Sequence, residues 1–290
     1  MGAGVLHAAA AATRFVLARP EPPADLVAFV EYFWVVRWDL RGEQPHEQAI
    51  LPHPNVHLAF ESTGAAVFGV DRTIFTRRLT GAGKVLGVRF RPGGFRPFYS
   101  APIFTLNDRV VPARGIFGPS ADRTCEVVMA AASDEAMTAA AADLLRGASP
   151  RPDPAVEQVA GVVARIIADP GLRRVGQLAC ACGIPERRLQ RLFADYVGVS
   201  PKWVMRRARL HEAALRADAG AVVDWAALAA DLGYADQAHL TRDFTATLGV
   251  PPSRYACRGV TPSGASEASG PRRPGLAADR GQGDSNSCEV

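Results

Sequence analysis

Hydrophobic and polar positions follow two different rhythms along the chain. Between positions 31 and 104 the apolar residues come in short β-branched or aromatic runs at 32–38, 56–60, 66–70 and 85–90, parted by Gly, Pro and Asn. Runs of that length and make-up, closed by turn residues, predict strands of a small sheet or barrel. From Pro119 the texture becomes Ala-rich, and two helices are predicted over about 121–132 and 134–146, because Ala has the highest helix propensity. The Gly, Ser and Pro residues at 147–152 interrupt that pattern and predict a linker. Beyond it, apolar positions keep a helical period to about Tyr255, whereas the chain from Arg258 onward is rich in Gly, Ser, Pro, Arg and Asp and predicts a disordered tail. The expected fold class is α+β. A β-rich, barrel or sandwich-like domain over 1–118 precedes a helical connector over 119–150, an all-α domain over 151–257 and the tail over 258–290.

The helical half contains one pattern twice. Leu178, Ala179, Gly183, Ile184, Leu189, Arg191, Phe193, Gly198, Val199 and Pro201 recur as Leu228, Ala229, Gly233, Tyr234, Leu240, Arg242, Phe244, Gly249, Val250 and Pro252. The offset is 50 residues as far as Gly233-Tyr234 and 51 thereafter, so the second copy has one extra residue in its turn. Each copy predicts helix, glycine turn, helix. Leu178, Ala179 and Cys182 form the apolar side of the first helix, Gly183 supplies the positive φ that ends it, and Pro185 opens the next. In that next helix Leu189, Leu192, Phe193 and Tyr196 fall on one stripe and leave Arg187, Gln190, Arg191 and Ala194 opposite. In the second copy Ala226, Leu228, Ala229 and Leu232 point inward, followed by Leu240, Phe244 and Leu248, with Gln237, His239, Thr241 and Arg242 outward. Two helices joined by a short glycine turn, with Arg and Gln projecting from the second, have the form of a helix-turn-helix, whose second helix enters a major groove. Arg forks onto guanine O6 and N7 and Gln pairs with adenine, although each of these side chains can serve a phosphate instead. A helix over about 201–217 separates the copies. At ~1.5 Å per residue it is long enough, with its turns, to set two reading helices roughly 34 Å apart, one duplex turn. Arg206, Arg207 and Arg209 along it suit phosphate contacts or a solvated charged face.

On these residues the segment from about Val175 to Tyr255 resembles the tandem DNA-binding domain of AraC-family transcriptional regulators. The matching motifs are LQRLF at 189–193, GVSP at 198–201 followed by Arg209, Leu210 and Ala213, Gly233-Tyr234 with Asp236 and Gln237, LTRDF at 240–244, and GVPP at 249–252. The resemblance implies binding to double-stranded promoter DNA, with RNA polymerase as a further partner. It places base reading on Arg187, Gln190 and Arg191 in the first copy and on Gln237, Ala238, His239 and Arg242 in the second. Phosphate contacts are expected at Arg188, Lys202, Arg206, Arg207 and Thr241. Two departures from the family pattern stand out: Asp243 occupies the place of Leu192, and Ala256 follows Tyr255 where the family often has Arg. The front half is similar to an uncharacterised β-rich domain that precedes such readers, through VEYFW at 30–34, ILP at 50–52, GVRFRPGG at 87–94 and DRVV at 108–111. By that analogy it senses a small-molecule effector or sets a homodimer.

Composition adds little to this picture. The 290 residues carry 33 Lys plus Arg against 29 Asp plus Glu, a formal charge of +4, which admits nucleic acid without requiring it. Lys84 and Lys202 are the only lysines, so 31 of the cations are arginine, the side chain whose planar fork suits phosphate and guanine; a GC-rich genome gives the same bias. Five cysteines (Cys125, Cys180, Cys182, Cys257 and Cys288) in no repeated CxxC spacing match cytosolic usage. The short apolar stretch from Val5 to Ala12 lacks a basic leader and does not fit a signal peptide, and no segment suits a membrane span. The expected location is the cytoplasm, with no membrane partner.

Other chemistry in the front half is sparse. His46, Glu47, His53 and His57 are candidate metal ligands, but Pro52 and Pro54 interrupt any shared strand, and loop histidines without metal are the expectation. Arg89 and Arg91 share a strand face ahead of a glycine turn and are candidates for an anionic effector, or a plain surface pair. Cys180 and Cys182 are expected to pack in a helix. No Gly-x-Ser-x-Gly, Walker loop or dinucleotide fingerprint occurs, so no catalytic residue, metal or cofactor is assigned. The alternative class is a metal-dependent small-molecule enzyme with an attached DNA-binding domain.

Overall fold

The run at 32–38 lies at the middle of β2 (Val30–Leu40), whose alternate residues face opposite ways. Phe33 and Val35 are buried against helices, whereas Tyr32, Trp34, Val36 and Trp38 look to the other face. The computed structural model describes residues 5–7, 11–219 and 223–258. It contains a six-stranded antiparallel sheet built from β1 (Val16–Ala18), β2, β4 (His57–Glu61), β5 (Gly64–Phe68), β7 (Gly81–Phe90) and β8 (Val110–Pro112), in the order β1-β2-β7-β4-β5-β8. The strands β3 (His46–Ile50) and β6 (Phe75–Leu79) pair separately as a two-stranded ribbon.

Period-two alternation explains the layering. Leu58 and Phe60 of β4, Val67 of β5, and Leu86, Val88 and Phe90 of β7 are fully buried and pack, with Phe33 and Val35, against two helices. These are α2 (Ser120–Ala130), contributing Ala121, Cys125 and Val128, and α3 (Asp134–Gly147), contributing Met137, Ala141 and Leu145. A single helical turn, α1 (Arg114–Phe117), leads into them. The opposite sheet face, bearing His57, Ala59, Glu61, Val85 and Arg89, is covered by the ribbon. The β-rich half is therefore sandwich-like, with helices on one side of the sheet and a ribbon on the other. Gly87 permits the second face to close: a Cβ there would lie 1.9 Å from the Trp34 ring, which crosses β7 at that point.

The helical half begins with α4 (Pro154–Ala168), capped by the Asp153 carboxylate, which accepts from the Ala155 N–H at 2.9 Å. Then follow α5 (Val175–Cys182), α6 (Glu186–Tyr196), α7 (Pro201–Asp218), α8 (Trp225–Asp231), α9 (Gln237–Leu248) and α10 (Pro252–Arg258). Val159, Val163 and Ile166 of α4 share a core with Leu178, Leu189, Phe193, Val204 and Met205. Farther along α7, Leu210, Ala213, Ala214 and Ala217 enter a second core with Leu228, Leu240, Phe244, Leu248 and Tyr255. One long helix thus serves both repeats. Two expected packing positions differ: Cys180 and Ala226 are exposed, since each lies off the buried stripe of its short helix. Among the described residues no helix is long and apolar enough to cross a membrane. The predicted tail, Cys288 included, lies outside the described residues except for Arg258.

Candidate nucleic-acid interface

Each repeat turns on a left-handed glycine. Gly183 has φ of 64° and Gly233 of 72°, a region that costs a residue with a Cβ but not glycine. After the first turn, Leu189 and Phe193 anchor α6 with no exposed surface, and Arg187, Arg188, Gln190 and Arg191 stand exposed on the remaining faces. Residues 187, 190 and 191 are three and four apart, so they line one side of the helix. Gln190 is steadied by Glu186 one turn earlier, its Nε2 donating to Oε1 at 3.1 Å.

In the second repeat both helices have a carboxylate cap. The Asp224 carboxylate caps α8 by accepting from the N–H groups of Ala226 and Ala227 at 2.9 and 3.0 Å. Asp236 caps α9, accepting from the His239 N–H at 2.6 Å. Leu240 and Phe244 are fully buried, while Gln237, Ala238, His239 and Arg242 are exposed and Thr241 is half-buried. The His239 ring meets Tyr234 edge-on at 5.1 Å. Asp243, at the place of Leu192, is buried. It accepts the Tyr234 hydroxyl at 2.7 Å and pairs with Arg206, so its charge is neutralised inside the repeat. Burial and this carboxylate hold the Tyr234 phenol well above its ordinary pKa.

The cations expected at phosphates divide into two groups. Arg188 and Lys202 stand exposed, as do the candidate readers Arg187, Arg191 and Arg242, and none has a carboxylate partner among the described residues. Arg206 is committed to Asp243. Arg207 departs from expectation altogether: its side chain is buried, with the guanidinium 4.7 Å over the Trp203 ring and Nη2 donating to the Arg72 carbonyl at 2.9 Å. Burial, and then the neighbouring Arg206 charge, lower its pKa to about 10. The side chain is thus held against the front half, where the sequence expectation had it at a phosphate.

The front-half candidates are also redistributed. Arg89 and Arg91 do not form a joint anion site. Arg89 is buried, donating to Glu31 at 2.9 Å, the Tyr32 hydroxyl at 3.1 Å and Asn55 Oδ1 at 3.0 Å, whereas Arg91 lies at the surface against Glu157. The two part because β7 ends at Phe90, so Arg91 no longer follows the strand's alternation. The histidines disperse too. His46 meets Gln48 at 3.2 Å, His57 accepts from the Trp34 indole at 3.4 Å, and His53 stacks on His211 of α7 with ring centroids 3.9 Å apart. Burial, then the Arg89 charge, holds His57 neutral with a pKa of about 3. Sequence reasoning missed His211, one of the contacts between the halves. It also missed the second buried face of β2, although its signal was present: a run of aromatic and β-branched residues without polar alternation marks a strand covered on both sides.

Residues 178–258 match a family model described as a helix-turn-helix domain. That segment spans both glycine turns, both exposed helix faces and the helix that joins them. The chain carries a helix-turn-helix domain. Ahead of that segment, residues 18–112 match a domain of unknown function, DUF6597, which spans the sheet and its ribbon. Among solved structures, an AraC-type transcriptional regulator from Chromobacterium violaceum is 18% identical, covering 37% of this chain and 96% of its own, with a TM-score of 0.34. A probable AraC-family regulator from Rhodopseudomonas palustris is 28% identical over 37% of this chain and 98% of its own (TM-score 0.31). ToxT from Vibrio cholerae is 12% identical over 84% of this chain and 98% of its own (TM-score 0.38). No curated protein matches the chain.

Proposed function

We propose that the protein recognises promoter DNA by sequence, setting α6 and α9 into successive major grooves with α7 as the spacer. The observation that carries this reading is the repeated division of each helix, two fully buried anchors on one side and an exposed polar face on the other. Arg187, Gln190 and Arg191 read bases in one half-site. Gln237, Ala238, His239 and Arg242 read them in the other, with Arg forking onto guanine and Gln onto adenine. Arg188, Lys202 and Thr241 contact phosphates, and Arg206 joins them only by releasing Asp243. The 18 residues of α7 span roughly 27 Å, which with the flanking turns approaches one helical repeat of DNA. In this reading the unit at 1–118 controls the reader at 151–257 through a small-molecule effector or a homodimer contact. The chain acts in the cytoplasm on a promoter, with RNA polymerase as its functional partner, and it is not an enzyme. The metal-dependent enzyme is disfavoured because His46, His53 and His57 make separate contacts and do not converge.

Substitution of Arg191 tests the assignment. In fluorescence anisotropy against cognate and scrambled duplexes, Arg191→Ala is expected to cost ~1–3 kcal/mol at the cognate site and to relax preference at one base pair. Undiminished discrimination contradicts it.

A further inference from the structure

A cavity of about 200 Å³ lies between the sheet and the β3–β6 ribbon. Its walls are aromatic and aliphatic, with Trp34, Trp38, Phe68, Phe75 and Leu79 among them. Two of the three arginines facing it are paired with carboxylates. Arg89 is bound to Glu31, Arg77 to Glu61, and Arg19 stacks 5.8 Å over Tyr32 while Asp71 supplies a further carboxylate to the lining. His57 has the Trp34 indole. His53 is different: it is 5% exposed, it lines the cavity, and neither ring nitrogen has a hydrogen-bond partner among the described residues. A neutral imidazole carries one donor and one acceptor, and leaving both unmade in a buried site is costly.

The same ring touches the reader. His53 stacks on His211, whose Nε2 lies 3.1 Å from the Pro52 carbonyl, and one turn earlier on α7 Arg207 donates to the Arg72 carbonyl. Both loops that hold α7, at 51–55 and 71–72, border the cavity, and α7 joins the two helix-turn-helix repeats.

We propose that this cavity binds an uncharged, largely apolar ring compound bearing one hydrogen-bonding group, which pairs with His53 and is felt by the DNA reader through His211. The inference rests on the reading that the front half controls the reader. An apolar enclosure with a single unmet polar group selects shape and one hydrogen bond, as small-molecule sites generally do. A carboxylate-bearing analogue is disfavoured because Arg77 and Arg89 are already paired, Asp71 adds a further carboxylate to the lining, and burying the analogue's charge is costly.

Three probes of one shape test this on the full chain: naphthalene, 2-naphthol and 2-naphthoate, titrated by quenching of tryptophan fluorescence. The expected order is 2-naphthol tightest, at least tenfold ahead of 2-naphthoate and several-fold ahead of naphthalene. Equal or tighter binding of the carboxylate, or no binding of any probe at millimolar concentration, overturns the proposal. His53→Phe keeps a ring against His211 and removes both unmet nitrogens, so the fold is expected to persist. It should erase the advantage of 2-naphthol over naphthalene, and a retained advantage overturns the role of His53. The operator affinity of the wild-type chain, with and without saturating 2-naphthol, separates the two claims. A several-fold change is expected. If the probes bind in the stated order and the affinity stays fixed, the ligand class survives while control of the reader by the cavity fails.

Discussion

At the scale of single residues, Arg207 and Lys202 sit five positions apart on one helix and have opposite fates. Lys202 is exposed, whereas Arg207 is buried between the Trp203 ring and the Arg72 carbonyl. Lys202→Ala is therefore expected to weaken binding to all sequences and make the salt dependence shallower, by about 0.9 in slope for each phosphate that the side chain no longer neutralises. Arg207→Met should leave that slope unchanged while lowering stability, because a buried carbonyl is deprived of its donor. Equal slopes for Lys202→Ala and the wild type, or a shallower one for Arg207→Met, contradict the division. A second residue-scale prediction concerns acid. Burial holds His57 and His211 neutral down to about pH 3, and His53 is likewise shifted far below its ordinary value. The unfolded chain takes up protons at these sites below about pH 6.5, whereas the folded chain does not. Stability from these histidines is thus complete above about 6.5 and falls away as pH drops toward 3. The urea midpoint should drop between pH 7 and pH 5, and an equal or higher midpoint at pH 5 excludes buried neutral histidines. Asp243 shows the limit of reading residues singly. In the sequence it is a charge misplaced on an apolar stripe, and only the fold supplies Tyr234 and Arg206 as its partners.

Among the elements, those with strong local signals were legible. α6 and α9 combine a helical stripe, a glycine stop before them and, for α9, an Asp cap; α2 and α3 followed from Ala content to within about two residues at each end. The Asp236 cap is worth testing, since Asp236→Ala is expected to cost about 1 kcal/mol in urea unfolding. A destabilisation below a few tenths of a kcal/mol denies the cap its role. β3 and β6 were not legible. Their sequences, HEQAI and FTRRL, alternate polar and apolar only weakly, and they pair with each other across more than twenty residues of chain, which no local pattern encodes. Without the ribbon, the cavity above β2 had no roof to be inferred from, and Arg89 looked like a surface arginine because its partners Glu31 and Asn55 come from distant segments.

On the scale of the whole molecule, the halves meet along the reader's own framework. Asn107 donates to the Gly198 carbonyl at 2.6 Å, Arg96 pairs with Asp195 at 3.2 Å, and His211 meets the Pro52 carbonyl. Leu6 and Leu51 from the front half are buried in the core of the second repeat. The placement of α6 relative to α9 therefore depends on α7, and α7 is held by the sheet unit. That arrangement makes the spacing of the two reading helices the central claim, and it is measurable directly. Selection of bound duplexes from a random-sequence pool by the full chain should yield two conserved elements about 10 base pairs apart, one helical turn. Repeating the selection with Arg191→Ala should blur one element alone, and with Arg242→Ala the other alone. A single conserved element, or variants that each degrade both elements equally, would contradict two independent reading helices.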